Sequence, residues 1–350
     1  MYKIHRLFIS CLLIAVALQS MPLAAGALSL LTAASTYKKS TLAGMACLSY
    51  YAYNRLQANA ASQAQQKFYE NVDAPQTPYK NILFDLNDVL FKINQPKAFF
   101  HLGVCDTVRY TLSGKKPDDL RNKLFDVLCA IRHEDSKELA ILAAAGSSTP
   151  LPMHKDRILP QLFCDWMMGI VPTKSLIAQI NQKLDALPAD FYSSETEHRL
   201  LKKIATIMFN PEERCALYDP IPEAITLLKH CKKVGFKVYL LSNMDSEIMA
   251  LLKNKFPDVF ALFDGMVISA DVKAMKPHAA MFQHMLVRFN LQANECCFID
   301  DEPNNIIGAE QTGITGVLFN YKKPIDALTQ LADLGIFSTH KSPQQVMARL

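Results

Sequence analysis

The chain has 350 residues, 50% of them hydrophobic and 20% charged, with a formal net charge of +4. That length can bury a full core and hold two domains, or one domain with a large insertion. The positive charge belongs to the N-terminus, where residues 1–69 carry six Lys and Arg and no Asp or Glu; the remaining body is at −2 and shows no bias toward nucleic acid or other acidic partners.

The N-terminus opens with the short basic stretch MYKIHR, followed by an apolar run at Leu7–Leu18 and a small-residue A-x-A site at Ala25–Gly26–Ala27. This is the layout of a cleavable export signal. No charge follows until Lys38, however, so residues 7–37 are also long enough to span a bilayer, interrupted by Gln19 and Pro22. Two expectations stay open: membrane association through an apolar segment at residues 1–55, or export after signal cleavage. A second apolar run, Thr41–Tyr53, is short for a span and reads as a membrane-lying or buried segment. The nine cysteines form no C-x-x-C pair and no Cys/His cluster. They read as free thiols packed as small hydrophobes, which favours a reducing compartment and runs against export. Residues 56–78 are polar, rich in Ala and Gln, and end in prolines, as a helical stalk and linker would.

Beyond the linker, short apolar runs predict strands at 81–85 (NILFD), 237–243 (KVYLLSN), 265–270 (GMVISA), 296–301 (CCFIDD) and 315–319 (TGVLF). Helical patterns separate the last four, at 245–255, 278–289 and 304–312, and another follows at 324–334. Strand–helix alternation of this kind predicts an α/β fold with a doubly wound parallel sheet. The first two strands break the rhythm, being about 150 residues apart. Helical periodicity fills that interval, in KPDDLRNKLFDVLCAIRH, SLIAQINQKLDALP and SETEHRLLKKIATIMF. The expected organisation is therefore a core from residues 79–97 and 221–340, with a helical cap at 98–220 inserted after the first strand. Trp166, the single tryptophan, falls in the cap and reads as core packing rather than substrate stacking.

Ligands of open parallel sheets bind where the carboxyl ends of the strands meet a topological switch. In this sequence those ends carry a coherent polar set: Asp85, then Ser242–Asn243, then Lys276 in KAMKPH, then the adjacent acids Asp300–Asp301. Each singly is an ordinary turn or cap residue. Together they suit phosphoryl chemistry. Three carboxylates make an oxygen-rich site for Mg²⁺, a hydroxyl and an ammonium can hold phosphoryl oxygens, and Asp85 can attack phosphorus.

These residues resemble the four motifs of the haloacid dehalogenase superfamily, whose members are mostly phosphatases: FDLND, LLSN, the KP of KAMKPH, and FIDDEPNN. The resemblance covers about residues 79–334 and is similar to the helical-cap subgroup that includes sugar-phosphate phosphatases. It implies Asp85 as nucleophile, Ser242, Asn243 and Lys276 around the phosphoryl group, and Asp300 with Asp301 on Mg²⁺, joined by Asp85 and the backbone carbonyl of Asn87. The implied substrate is a small phosphorylated metabolite.

One position departs from the pattern. The resemblance implies an acid two residues after the nucleophile, to protonate the leaving oxygen, and here that residue is Asn87. Asn has no titratable proton, and loss of a general acid typically costs ~10²–10⁴ in rate. A good leaving group, such as an acyl or aryl phosphate, would hide part of that. Three readings compete: a slow or specialised phosphohydrolase, with His278 or Glu302 as other proton sources; a silent relative that binds a phosphorylated ligand or a protein partner at the membrane; and dehalogenation, which has no need of the acidic pair.

Overall fold

The computed structural model describes residues 77–131, 152–154 and 157–337. The apolar segment expected at residues 1–55, and the linker apart from Thr77 and Pro78, lie outside the described residues.

Strands in chain order are β1 (Asn81–Phe84), β2 (Phe91–Ile93), β3 (Met153–His154), β4 (Arg157–Ile158), β5 (Tyr218–Pro220), β6 (Lys237–Ser242), β7 (Gly265–Ile268), β8 (Cys296–Asp300) and β9 (Thr315–Leu318). Helices α1 (Gln95–Leu102), α2 (Val104–Leu112), α3 (Pro117–Ala130), α4 (Gln161–Met167), α5 (Thr173–Ala186), α6 (Glu195–Phe209) and α7 (Pro211–Leu217) lie between β2 and β5. After β5 come α8 (Pro222–Lys233), α9 (Ser246–Lys255), α10 (Pro257–Phe260), α11 (Ser269–Val272), α12 (Ala279–Phe289), α13 (Pro303–Gln311) and α14 (Pro324–Asp333).

Five strands form one parallel sheet in the order β7-β6-β1-β8-β9. The predicted strands and core helices agree with these bounds to within one or two residues. Every residue of β1 is buried, as expected of a central parallel strand covered on both faces. Alternate residues divide cleanly between the faces. Ile82, Phe84, Val238, Leu240, Cys297 and Ile299 join the larger core with α8, α9 and α14, while Leu83, Tyr239, Leu241 and Phe298 pack with α12 and Ala309 of α13. Helix starts are locally encoded: Asp245 Oδ1 accepts from the N–H groups of Glu247 and Ile248 at 2.9 and 3.1 Å, and Pro303 and Pro324 open α13 and α14.

The antiparallel pair β2–β5 carries the chain out to the helical insertion and back, with Ile93 opposite Tyr218. Within it α5 buries Leu176, Ile180 and Leu184, and α6 buries Leu200, Leu201, Ala205 and Phe209, each at the three- and four-residue spacing of an apolar helix face. Trp166 lies edge-on to Phe209, with centroids 5.1 Å apart, and its Nε1 donates to Thr173 Oγ1 at 2.9 Å. It is a core residue. Glu197 is buried in the same bundle, accepting from the Ser193 N–H and hydroxyl at 2.5 Å and pairing with Lys123 at 3.1 Å.

The insertion meets the sheet domain just beyond α4. Ser269 Oγ donates to the Met167 carbonyl at 2.6 Å, Lys273 Nζ donates to the Gly169 carbonyl at 2.9 Å, and Cys164 and Met168 pack on Met275. The residue after Met275 is Lys276, whose peptide to Pro277 is cis. From below, Gly308 of α13 supports the same loop: a Cβ there would lie 2.2 Å from the Pro277 carbonyl oxygen. Gly308→Ala should therefore push the loop off its seat and lower stability by ~1–3 kcal/mol. The fall in thermal midpoint should be accompanied by loss of the catalytic chemistry proposed below.

Candidate active site

The β1–β8 ladder extends one residue past β1, because the Asp85 N–H donates to the Ile299 carbonyl at 2.9 Å. This sets Asp85 beside Asp300 at the carboxyl end of the sheet. Between them stands Lys276, 1% exposed, whose Nζ donates to Asp85 Oδ1 at 2.6 Å and Asp300 Oδ2 at 2.7 Å. The lysine backbone is gripped from β6: Asn243 Oδ1 accepts the Lys276 N–H at 2.8 Å, and Asn243 Nδ2 donates to the Lys276 carbonyl at 2.9 Å. Asp300 is held in turn by the Glu302 N–H at 2.8 Å and by Asn305 Nδ2, at 3.0 and 3.1 Å from its two oxygens.

The structure thus brings Asp85, Lys276, Asp300 and Asp301 into one cluster, and the three acids place oxygens within 4.8 Å of one another. Ser242 ends β6 with a fully buried hydroxyl that has no hydrogen-bond partner among the described residues. Asn243, expected around the phosphoryl group, has its side-chain amide bonded to the backbone of Lys276 on both its oxygen and its nitrogen. Asn87 stands outside the cluster's hydrogen bonds; its Oδ1 accepts from the Tyr218 hydroxyl at 2.6 Å. Two residues escaped the sequence reading. Asn305 carried a usable signal, an amide in the first turn of a helix that follows the acidic pair. Tyr218 carried none, being 131 positions from its partner.

Burial and mutual charge set the electrostatics of the cluster. Burial raises the Asp85 carboxyl to about 6, with Lys276 pulling it down and Asp300 pushing it up. Burial, then the charges of Asp300 and Asp85, raise Asp301 to about 9. Burial alone would lower the Lys276 ammonium, but Asp300 and Asp85 outweigh it and leave it raised. Three carboxylates against one ammonium leave a formal excess of two negative charges, which a single divalent cation balances. Hard oxygen donors of this kind suit Mg²⁺. The partnerless Ser242 hydroxyl on the neighbouring strand suits an incoming anionic oxygen. His278 is a poor acid here, because burial lowers its imidazole below the usual range and keeps it neutral near pH 7.

These shifts give a pH-dependent expectation. An acid whose folded value is raised stabilises the fold fully below its unfolded value of ~4 and loses that contribution as pH rises. For the cation-free protein the loss should run through about 6 for Asp85 and about 9 for Asp301. Added Mg²⁺ should therefore raise the thermal midpoint more at about pH 8 than at about pH 5. Asp301→Asn should remove most of that difference, as thermal melts across the pH range would show.

A profile of the haloacid dehalogenase-like hydrolases matches residues 79–313. A sesquiterpene phosphatase of Aspergillus oryzae is 30% identical over 98 residues, covering 28% of this chain and 50% of that protein. A phosphoglycolate phosphatase of Colwellia psychrerythraea is 24% identical over 132 residues, covering 36% of this chain and 57% of its own. The chain thus spans about half the length of these curated relatives. Among solved structures, a haloacid dehalogenase family enzyme of Bacteroides thetaiotaomicron, in complex with magnesium and inorganic phosphate, has 16% identity and a TM-score of 0.41, over 69% of this chain and 94% of that one.

Proposed function

The chain belongs to the haloacid dehalogenase-like hydrolases, and on that premise we propose that it is a Mg²⁺-dependent phosphatase acting on a small phosphorylated metabolite through a phosphorylated Asp85. The observation that carries this reading is the Lys276 ammonium bridging Asp85 and Asp300 beside a buried, partnerless Ser242 hydroxyl. Ser242 Oγ and Lys276 Nζ bind the non-bridging oxygens of the phosphoryl group. Asp85 attacks phosphorus in line; an Asp85 oxygen–phosphorus bond forms as the bond to the leaving oxygen breaks, with its electron pair departing on that oxygen. Water then cleaves the acyl phosphate, releasing inorganic phosphate and the Asp85 carboxylate. Asp85, Asp300, Asp301 and the backbone carbonyl of Asn87 would hold Mg²⁺, which when bound would offset the negative charge that gathers at the phosphoryl oxygens. Asn243 and Asn305 keep the lysine and Asp300 in place through both steps. The insertion, packed on Met275 beside Lys276, would limit the access of bulk water to the site.

Asn87 favours a second reading, a silent relative that binds a phosphorylated ligand or a protein partner without turning anything over. Phosphate release by the full chain with Mg²⁺ separates the two, using sugar phosphates, nucleotides and an activated aryl phosphate. Turnover by the wild type that falls to background in Asp85→Asn is the expected result. Silence in the wild type, with turnover appearing in Asn87→Asp, would instead mean a binding role.

Placement at a membrane through residues 1–55 is part of the same reading; no helix among the described residues is long and apolar enough to cross a bilayer. N-terminal sequencing of the protein from its native cells decides the point. An intact leader is expected of an anchor, and a mature start near Leu28 would mean a cleaved signal and an exported enzyme.

A further inference from the structure

We propose that Arg214 and Tyr218 form a one-directional hydrogen-bond relay that fixes Asn87 as an N–H donor to the leaving oxygen, so that the substrate is a phosphoryl compound with a weakly basic leaving group. This rests on the phosphatase reading above and adds the leaving-group class to it.

The direction of the relay follows from donor chemistry. A guanidinium can only donate, and Arg214 Nε donates to the Tyr218 hydroxyl oxygen at 3.4 Å, with the guanidinium 5.4 Å from the ring centroid. The Tyr218 hydroxyl in turn gives its one hydrogen to Asn87 Oδ1 at 2.6 Å. The amide thus lies with its oxygen toward Tyr218 and its nitrogen away. Among the described residues no partner takes up the Asn87 Nδ2 hydrogens.

Tyr218 itself is firmly placed. It is 1% exposed, pairs through β5 with Ile93, and has its carbonyl held by Lys255 Nζ at 3.2 Å, while the same ammonium caps the Cys215 carbonyl at 2.6 Å. The relay is thus built into the strand on which the insertion returns to the sheet. A chain of donors that begins at a cation strengthens the last donor in it.

The chemistry follows. An amide N–H stabilises negative charge developing on an oxygen but delivers no proton. The bond from phosphorus to the leaving oxygen must then break with both electrons staying on that oxygen, which departs as an anion. Phosphoric anhydrides, acyl phosphates and aryl phosphates can leave in this way at neutral pH, whereas simple alkyl esters need the missing acid. Tyr218 and Arg214 are positioning residues in this scheme, acting only through Asn87.

The test is a series of aryl phosphates of graded phenol acidity, hydrolysed by the full chain with Mg²⁺. Wild-type kcat/KM should fall by ~10²–10⁴ from the most to the least acidic phenol, the size of the missing acid. Asn87→Asp should make the dependence shallower. Tyr218→Phe should lower turnover by roughly threefold to tenfold, the worth of one hydrogen bond, and more for basic phenols than for acidic ones, so that the slope steepens. Arg214→Met, at a half-buried position, should steepen it in the same sense and serves if Tyr218→Phe fails to fold. A flat wild-type series, or a loss in the relay variants that is equal for every phenol, would overturn the relay while leaving the phosphatase reading intact. No turnover of even the most activated ester would overturn both.

Discussion

The Lys276 ammonium, buried between the carboxylates of Asp85 and Asp300, ties together segments that are 191 and 24 residues from it in sequence. Burial of any one of these charges alone would be strongly unfavourable, and removing one partner of such a pair typically costs ~3–5 kcal/mol because a bare charge is left behind. The site tolerates the arrangement because each member is further bonded: the lysine backbone by Asn243, Asp300 by Asn305 and the Glu302 N–H. Even so, the acids outnumber the ammonium. That surplus suits a divalent cation, as the proposed phosphatase chemistry requires.

Much of the surrounding fold reads as support for that one side chain. Gly308 lets α13 approach Pro277 from below, while Met275 receives Cys164 and Met168 from the insertion. The insertion and the reactive lysine are therefore mechanically adjacent. Ser269 reinforces the link, since its hydroxyl donates to the Met167 carbonyl and accepts the Met244 N–H at 2.9 Å, two residues past Ser242. These contacts join the insertion to the loops just beyond the ends of β6 and β7.

Asn87 gives the site its particular character. Asp85, the Lys276 ammonium and the two further acids stand together as the proposed chemistry requires, yet the position expected to supply a proton carries an amide. The Tyr218 hydroxyl donates to the Asn87 side-chain oxygen, and the Arg214 guanidinium donates in turn to that hydroxyl. A donor at that side favours an acceptor oxygen on residue 87. The surroundings of residue 87 are thus consistent with its side chain and with a reaction whose leaving group needs no acid.

How much of this was legible beforehand follows from the range of each interaction. The short apolar runs of β1, β6 and β8, the three- and four-residue spacing in α5 and α6, and cap residues such as Asp245 are encoded within a few positions of one another, so strands, helices and the polar strand ends could be read directly. Once the strands were taken as parallel, Asp85, Ser242, Lys276 and Asp300 had to gather at one edge of the sheet. The partners of those residues were another matter. That Asn243 grips the lysine backbone, and that Tyr218 bonds Asn87 across 131 residues, depends on side-chain placement to a fraction of an ångström. Such contacts leave no periodic trace in the sequence, because hydrogen-bond geometry is fixed by how the strands and the insertion pack, not by the spacing of residues along the chain.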